Sequence, residues 1–230
     1  MKFHYHGHSA LSLSDQQSEI VFDPFFTGNP SASGLPDDLK PRTILLTHGH
    51  EDHVGDTEAL AKRADATVVA VYELAGHLEK KGLKTIGCGL GGRVKHDWGW
   101  SKMVPAFHSS SYEGQYMGMP AGIVVDFAGV RVYNTGDTCV FGDMKLIAEL
   151  YQPEVLILPV GGHFTMDVYE AKKAIGLVGA KTVIPVHYNT WPPLAIDIDA
   201  FKAEVEKAQP EVTVHALKPG EVLELSPARA

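Results

Sequence analysis

The segment LLTHGHEDHVGD, residues 45–56, sets His48, His50 and His53 beside Glu51 and Asp52 within six positions, directly behind the apolar run TILL. A short aliphatic, β-branched run of that kind reads as a buried strand. Imidazoles and carboxylates gathered where a buried strand ends are costly unless something pairs them. The fold must therefore bring partners to residues 48–53 from elsewhere in the chain, or hold a cation there.

Three more residues of the same chemical type stand in the same kind of place. His108 follows MVPAF, Asp137 follows VRVYNTG, and His187 follows TVIPV. In α/β sheets, ligands bind outside the carboxyl ends of the strands. Four strands that end together would aim all these side chains at one point.

The order of segments supports such a sheet. ALSLS and SEIVFDP read as early strands, with a turn at 15–18. After RTILLTH come a helix, GDTEALAKRA, with Asp56 as its candidate N-cap, then the strand ATVVAVY and the helix ELAGHLEKKG closed by Gly82. SKMVPAFH, AGIVVDFAG and VRVYNTGD are strands, the last two joined by a tight turn at Ala128–Gly129. Strand–helix alternation then resumes and ends in β. Strands first, then alternation, and then the same again predict an α/β (α+β) chain folded as a four-layer αββα sandwich. No Pro/Ser-rich linker divides it, so residues 1–230 read as one domain. The turn-rich segments Thr27–Asp38 and Ser109–Pro120 are the expected walls of a pocket.

Neutral imidazole and carboxylate are ligands for zinc, and also suit manganese or iron. His48 and His50 are two apart and share a face in an extended segment, while Asp52 and His53 lie beyond the turn. With His108, one divalent ion would have three histidines. With His187, a second would have Asp52, His53 and His187, and Asp137 could bridge the pair. Glu51 falls outside this scheme.

Composition narrows the partners. A formal net charge of −8 disfavours a phosphate backbone as ligand. No apolar run reaches membrane-spanning length. Cys88 and Cys139 form no Cys-x-x-Cys pair, and the start lacks an apolar signal core, so a reduced, cytoplasmic protein is expected. A small-molecule substrate is expected, with no nucleic acid and no membrane, and a homo-oligomer stays open.

THGHEDHVGD resembles the His-x-His-x-Asp-His motif of the metallo-β-lactamase superfamily, and His108, TGDT around Asp137 and PVHY around His187 follow in that superfamily's order. The match spans almost the whole chain. GHSAL and GGHFTMD resemble more narrowly a family of small metal-dependent hydrolases near the L-ascorbate-6-phosphate lactonase branch. The resemblance implies the αββα fold and a dinuclear site. It assigns His48, His50 and His108 to the first ion, Asp52, His53 and His187 to the second, and Asp137 to the bridge. The diiron flavoprotein branch usually carries Glu at the position of His50, which excludes a redox reading. The resemblance also brings His8 into the pocket as a substrate contact. His163, at the end of VLILPV, mirrors the other site positions and is a second candidate contact. Asp167 and Glu170 have capping-box spacing.

The expected function is a metal-dependent hydrolase that uses a metal-bridging hydroxide on an ester, lactone or phosphoester-type small molecule, with two divalent ions (zinc first, manganese or iron as alternatives) and Asp52 as ligand and proton carrier. A tRNA-processing-type nuclease and a non-catalytic metal-binding protein are the competing readings.

Overall fold

The computed structural model describes residues 1–32 and 34–227; Ser33 of the Thr27–Asp38 loop and the last three residues of the SPARA end lie outside that description. The chain opens with β1 (Lys2–Gly7), β2 (Ala10–Ser14), β3 (Glu19–Phe22), β4 (Thr43–Leu45), β5 (Thr67–Val71) and β6 (Lys84–Cys88). It continues with β7 (Arg93–His96), β8 (Gly99–Pro105), the small hairpin β9 (Ser111–Tyr112) and β10 (Gln115–Tyr116), then β11 (Ala121–Phe127), β12 (Val130–Asn134), β13 (Val155–Pro159), β14 (Thr182–Val186), β15 (Thr213–Val214) and β16 (Val222–Glu224). The helices are α1 (Glu51–Val54), α2 (Thr57–Ala64), α3 (Tyr72–Lys80), α4 (Met144–Tyr151), α5 (Val168–Val178) and α6 (Ile198–Ala208).

Two seven-stranded sheets result, in the orders β16-β1-β2-β3-β4-β5-β6 and β15-β14-β13-β12-β11-β8-β7. Each is antiparallel on one side and parallel on the other: β3 to β6 and β12 to β15 run parallel. Alternation along the strands decides which face each residue serves. In β11, Ile123, Val125 and Phe127 join the core shared with Phe3, Leu11 and Ile44 of the first sheet, while Val124 turns to the other side. There it packs with Leu156, Leu158 and Val183 against Ile147 of α4, Ile175 of α5 and Phe201 of α6. Leu60 of α2 and Leu74 and Leu78 of α3 cover the first sheet. These are the four layers expected from the segment order. No described helix is long and apolar enough to cross a membrane.

The Ala128–Gly129 turn forms, with both residues at positive φ (51° and 80°), which suits the twist of a two-residue hairpin. Asp167 caps α5, accepting from Tyr169 N and Glu170 N at 2.9 Å each. Asp56 departs from expectation. It sits at the N-cap position of α2, but its side chain makes no capping bond. Its carboxylate accepts instead from Phe26 N, Thr27 N and Thr27 Oγ1 at 2.9, 2.7 and 2.6 Å. Three bonds to one loop outweigh a single cap bond, so Asp56 pins the entry of the 27–38 segment.

Candidate metal centre

Parallel pairing brings the carboxyl ends of β3, β4, β12, β13 and β14 to one edge of the sandwich. β8 runs in the same direction as β12, since both are antiparallel to β11. The β1–β2 turn lies at that edge too, because β2 is antiparallel to β3. Two contacts close the sheets over the site: Ala121 N donates to Thr47 O at 2.9 Å, and Gly49 N to Ser110 Oγ at 3.0 Å. Only glycine fits between His48 and His50, since a Cβ at Gly49 would lie 2.6 Å from Met117 Cβ.

The seven residues picked out by sequence converge here. His48 Nε2 and His50 Nδ1 are 2.9 Å apart, and with His108 they form a group whose donor atoms all lie within 4.8 Å of one another. Asp52, His53 and His187 form a second group by the same measure, joined by His8. His48, His53 and Asp137 form a third, which overlaps the first two. Asp137 Oδ2 is 3.3 Å from His53 Nε2, 3.1 Å from His187 Nε2 and 3.7 Å from His108 Nε2. Glu51 is exposed and stands apart.

These donors fit a divalent cation. His53 Nε2 is buried without a hydrogen bond, although it faces the Asp137 and Asp52 carboxylates. An unsatisfied ring nitrogen between two carboxylates is what a bound cation would resolve.

An outer layer fixes which nitrogen of the His48 and His53 rings points inward. Asp23, fully buried at the end of β3, accepts from Thr47 N at 2.9 Å, Thr47 Oγ1 at 2.8 Å and His53 Nδ1 at 2.9 Å. A carboxylate only accepts, so the Thr47 hydroxyl donates to Asp23. Its oxygen then accepts from His48 Nδ1 at 3.0 Å. Nε2 of both His48 and His53 is thereby the nitrogen directed into the site. Asp23 and Thr47 were missed from sequence. The signal was present, since Asp23 ends the apolar run SEIVF just as the other site residues end theirs.

Charge divides the two groups. Burial holds the His48, His50 and His108 imidazoles below their usual range. Burial would lower His53 and His187 as well, but Asp137 beside both outweighs it, raising His53 well above normal and His187 to about 9. Burial would raise the Asp52 carboxyl, yet His53, His187 and His8 hold it far below the carboxylate range. In the metal-free protein the first group is thus neutral and the second holds protons at pH 7. A raised pKa keeps the proton bound until pH passes it, so metal competes with the His187 proton below about pH 9. Zinc titration of metal-free protein at pH 7, followed by calorimetry in buffers of different ionisation enthalpy, should show clear proton release that diminishes by pH 10 as His187 loses its proton. Equal release at both pH values would contradict this charge distribution.

A cavity of about 360 Å³ opens onto the donors, lined by His50, Asp52, His108, Ser109, Asp137, Phe164 and His187. Of the two expected walls, only Ser109 from the Ser109–Pro120 segment contributes, and no described residue of Thr27–Asp38 does. The Asp56 bonds hold the start of that loop back; the missing wall comes from Phe164, after β13. His163 itself is exposed, outside the lining, with its ring against Phe164 at 4.4 Å. His8 is fully buried.

The sequence matches the β-lactamase superfamily domain over residues 18–188. It is 49% identical over 231 residues to a UPF0173 metal-dependent hydrolase of Pyrococcus furiosus, covering 98% of this chain and all of the relative. It is 47% identical over 222 residues to one from Thermus thermophilus, covering 96% of this chain and 97% of that relative. Among solved structures, the metallo hydrolase Igni18 of the hyperthermophilic archaeon Ignicoccus hospitalis superposes with a TM-score of 0.89 at 36% identity, covering 98% of this chain and 99% of that one.

Proposed function

The chain belongs to the β-lactamase superfamily and is a metal-dependent hydrolase, and from that premise we propose that it hydrolyses uncharged carbonyl esters or lactones at a dinuclear site. His48, His50 and His108 would hold one ion, Asp52, His53 and His187 the other, with Asp137 between them. When bound, two such ions supply an acidified water and a Lewis acid for the substrate oxygen; zinc, manganese and iron all suit these donors.

The chain's own residues do the rest. Asp52 is the carboxylate that reaches the cavity, with 27% of its side chain exposed, against 4% for Asp137. It can take a proton from the attacking water and return it to the leaving oxygen. Asp23 and Thr47 keep the Nδ1 side of His48 and His53 turned outward, so that Nε2 of each faces the site. Ser109 and Phe164, which belong to none of the donor groups, are left to touch substrate.

One observation carries the choice of a carbonyl substrate. The segments that build this edge, 23–39, 46–56, 106–120, 135–143, 160–171 and 187–200, contain no lysine or arginine. Phosphate recognition draws on Arg, Lys or a helix N-terminus to compensate charge, and the cavity lining offers neither cation. The same lack weighs against a nuclease, whose affinity would come from phosphate contacts. A non-catalytic metal protein has no observation in its favour, since all seven donor positions are filled.

Metal-loaded protein should hydrolyse phenyl acetate and simple lactones at least about tenfold faster than bis(4-nitrophenyl) phosphate or 4-nitrophenyl phosphate, a difference of about 1.4 kcal/mol in barrier. Phe164→Ala should raise KM for the aryl ester severalfold and leave kcat close to its starting value, because it removes ground-state contact. Faster turnover of the phosphoesters, or salt-sensitive cleavage of RNA, would reverse the assignment.

A further inference from the structure

The geometry points to His8 as a further protein ligand of the second ion, beside Asp52, His53, His187 and the bridging Asp137. This rests on the dinuclear reading above and adds a residue outside the His-x-His-x-Asp-His pattern and its downstream partners.

The His8 ring is built like those of His48 and His53. Its Nδ1 lies 2.8 Å from Thr190 Oγ1, and its Nε2 lies 3.1 Å from Asp52 Oδ2. The Thr190 hydroxyl has an acceptor of its own in Tyr188 O, at 3.4 Å. If it donates there, it accepts from His8 Nδ1, and Nε2 presents a lone pair. A lone pair and a carboxylate oxygen at that distance repel unless a cation joins them. His48 and His53 show the same arrangement, with one ring nitrogen anchored by an outer oxygen and the other turned inward.

Placement argues in the same direction. His8 is fully buried, whereas a substrate contact should face the cavity, and His8 is absent from its lining. The rings of His187, Trp191 and Phe25 surround it, with centroids 4.0, 4.9 and 5.9 Å away. The backbone also commits His8 to this position. It sits at φ 56°, and its carbonyl accepts from His187 N at 2.9 Å and Tyr5 Oη at 3.1 Å. Left-handed conformations cost a non-glycine residue energy and persist where surrounding structure enforces them. His187 shares that conformation, at φ 56°. The β1–β2 turn and the end of β14 are thus bolted together and deliver two imidazoles to one ion.

The opposite tautomer defines the rival role. With Thr190 donating to Nδ1, His8 Nε2–H would donate to Asp52 and merely position it. Cobalt(II) titration of wild type, His8→Ala and His8→Gln separates the two, read by bound-metal stoichiometry and the visible ligand-field spectrum. Wild type should bind two ions. Both variants should bind one ion tightly and the other at least about tenfold more weakly, with loss of the second-site absorption. Retention of both ions by His8→Gln, whose amide can still donate to Asp52, would overturn ligation in favour of positioning. Two ions at wild-type affinity in both variants would overturn it while leaving the dinuclear hydrolase intact. A single ion in wild type would overturn both. Wild-type protein loaded with cadmium-113 gives a count that needs no substitution: six imidazoles should show metal–nitrogen coupling by NMR, and five would exclude His8.

Discussion

Asp137→Asn should lower turnover by at least about a thousandfold, near 4 kcal/mol of transition-state stabilisation. Asp137 is the one carboxylate that reaches both donor groups, lying within 3.7 Å of His108 on one side and 3.1 Å of His187 on the other. Burial would raise its carboxyl, but His187 and His53 outweigh that and keep it well below the usual range. An amide has the same shape and no charge, so it can neither bridge two cations nor balance two imidazolium rings. Metal-free protein should lose stability at neutral pH, by about 3–5 kcal/mol, the cost of removing one partner from a buried charged cluster. The sign follows from linkage. A lowered carboxyl pKa contributes stability above the unfolded value near 4, and that contribution disappears as pH falls through the folded value. The gap between wild type and variant should therefore narrow in acid. Metal content, steady-state rates and chemical denaturation at pH 7 and pH 3 test all three points. A variant that keeps two ions and turns over within tenfold of wild type would remove Asp137 from the bridge.

What could be read before folding was what the sequence holds locally. THGHEDH is legible because its donors are neighbours in the chain and directly follow a buried strand. His108, Asp137 and His187 were legible because each ends an apolar run, and parallel strands in one sheet end together. The four layers followed from the same alternation. Of the outer shell, Asp23 left a signal at the end of an apolar run, but the pairings did not, because the partners are distant: His8 meets Thr190 across 182 positions and Gly49 meets Ser110 across 61. Asp56 illustrates the same limit. Helix-cap chemistry and loop-pinning chemistry ask for the same residue type, and only tertiary approach decides between them. Phe164 was overlooked in favour of its neighbour His163 because histidine carries an obvious chemistry. A phenyl ring declares its role only when it is found lining a cavity.

Asp23→Asn should weaken both ions by about 10- to 100-fold, although Asp23 touches neither. The substitution preserves volume, so it creates no cavity and tests hydrogen-bond polarity alone. Asp23 Oδ1 takes the Thr47 N–H, which fixes the new amide with its oxygen on that side and its NH2 where Oδ2 was. The opposite orientation would set two N–H groups against each other. The NH2 then faces Thr47 Oγ1 and His53 Nδ1, which previously donated to this position at 2.8 and 2.9 Å. Both must become acceptors. His53 Nδ1 gives up its proton, and the neutral ring carries it on Nε2, the nitrogen that faces Asp137. Thr47, now accepting from the amide, turns its own proton toward His48 Nδ1 at 3.0 Å. His48 Nε2 becomes protonated by the same logic. A single exchange of oxygen for nitrogen thus closes one lone pair in each donor group. Metal titration should show both affinities reduced, and activity should return toward wild type at high metal concentration, because Asp23 contacts neither substrate nor reacting water. Nitrogen-15 chemical shifts of the metal-free protein should report the change of tautomer at His48 and the loss of the Nδ1 proton at His53 directly. Unchanged affinity for both ions, with wild-type tautomers, would mean that Asp23 braces the fold but does not set the ligands.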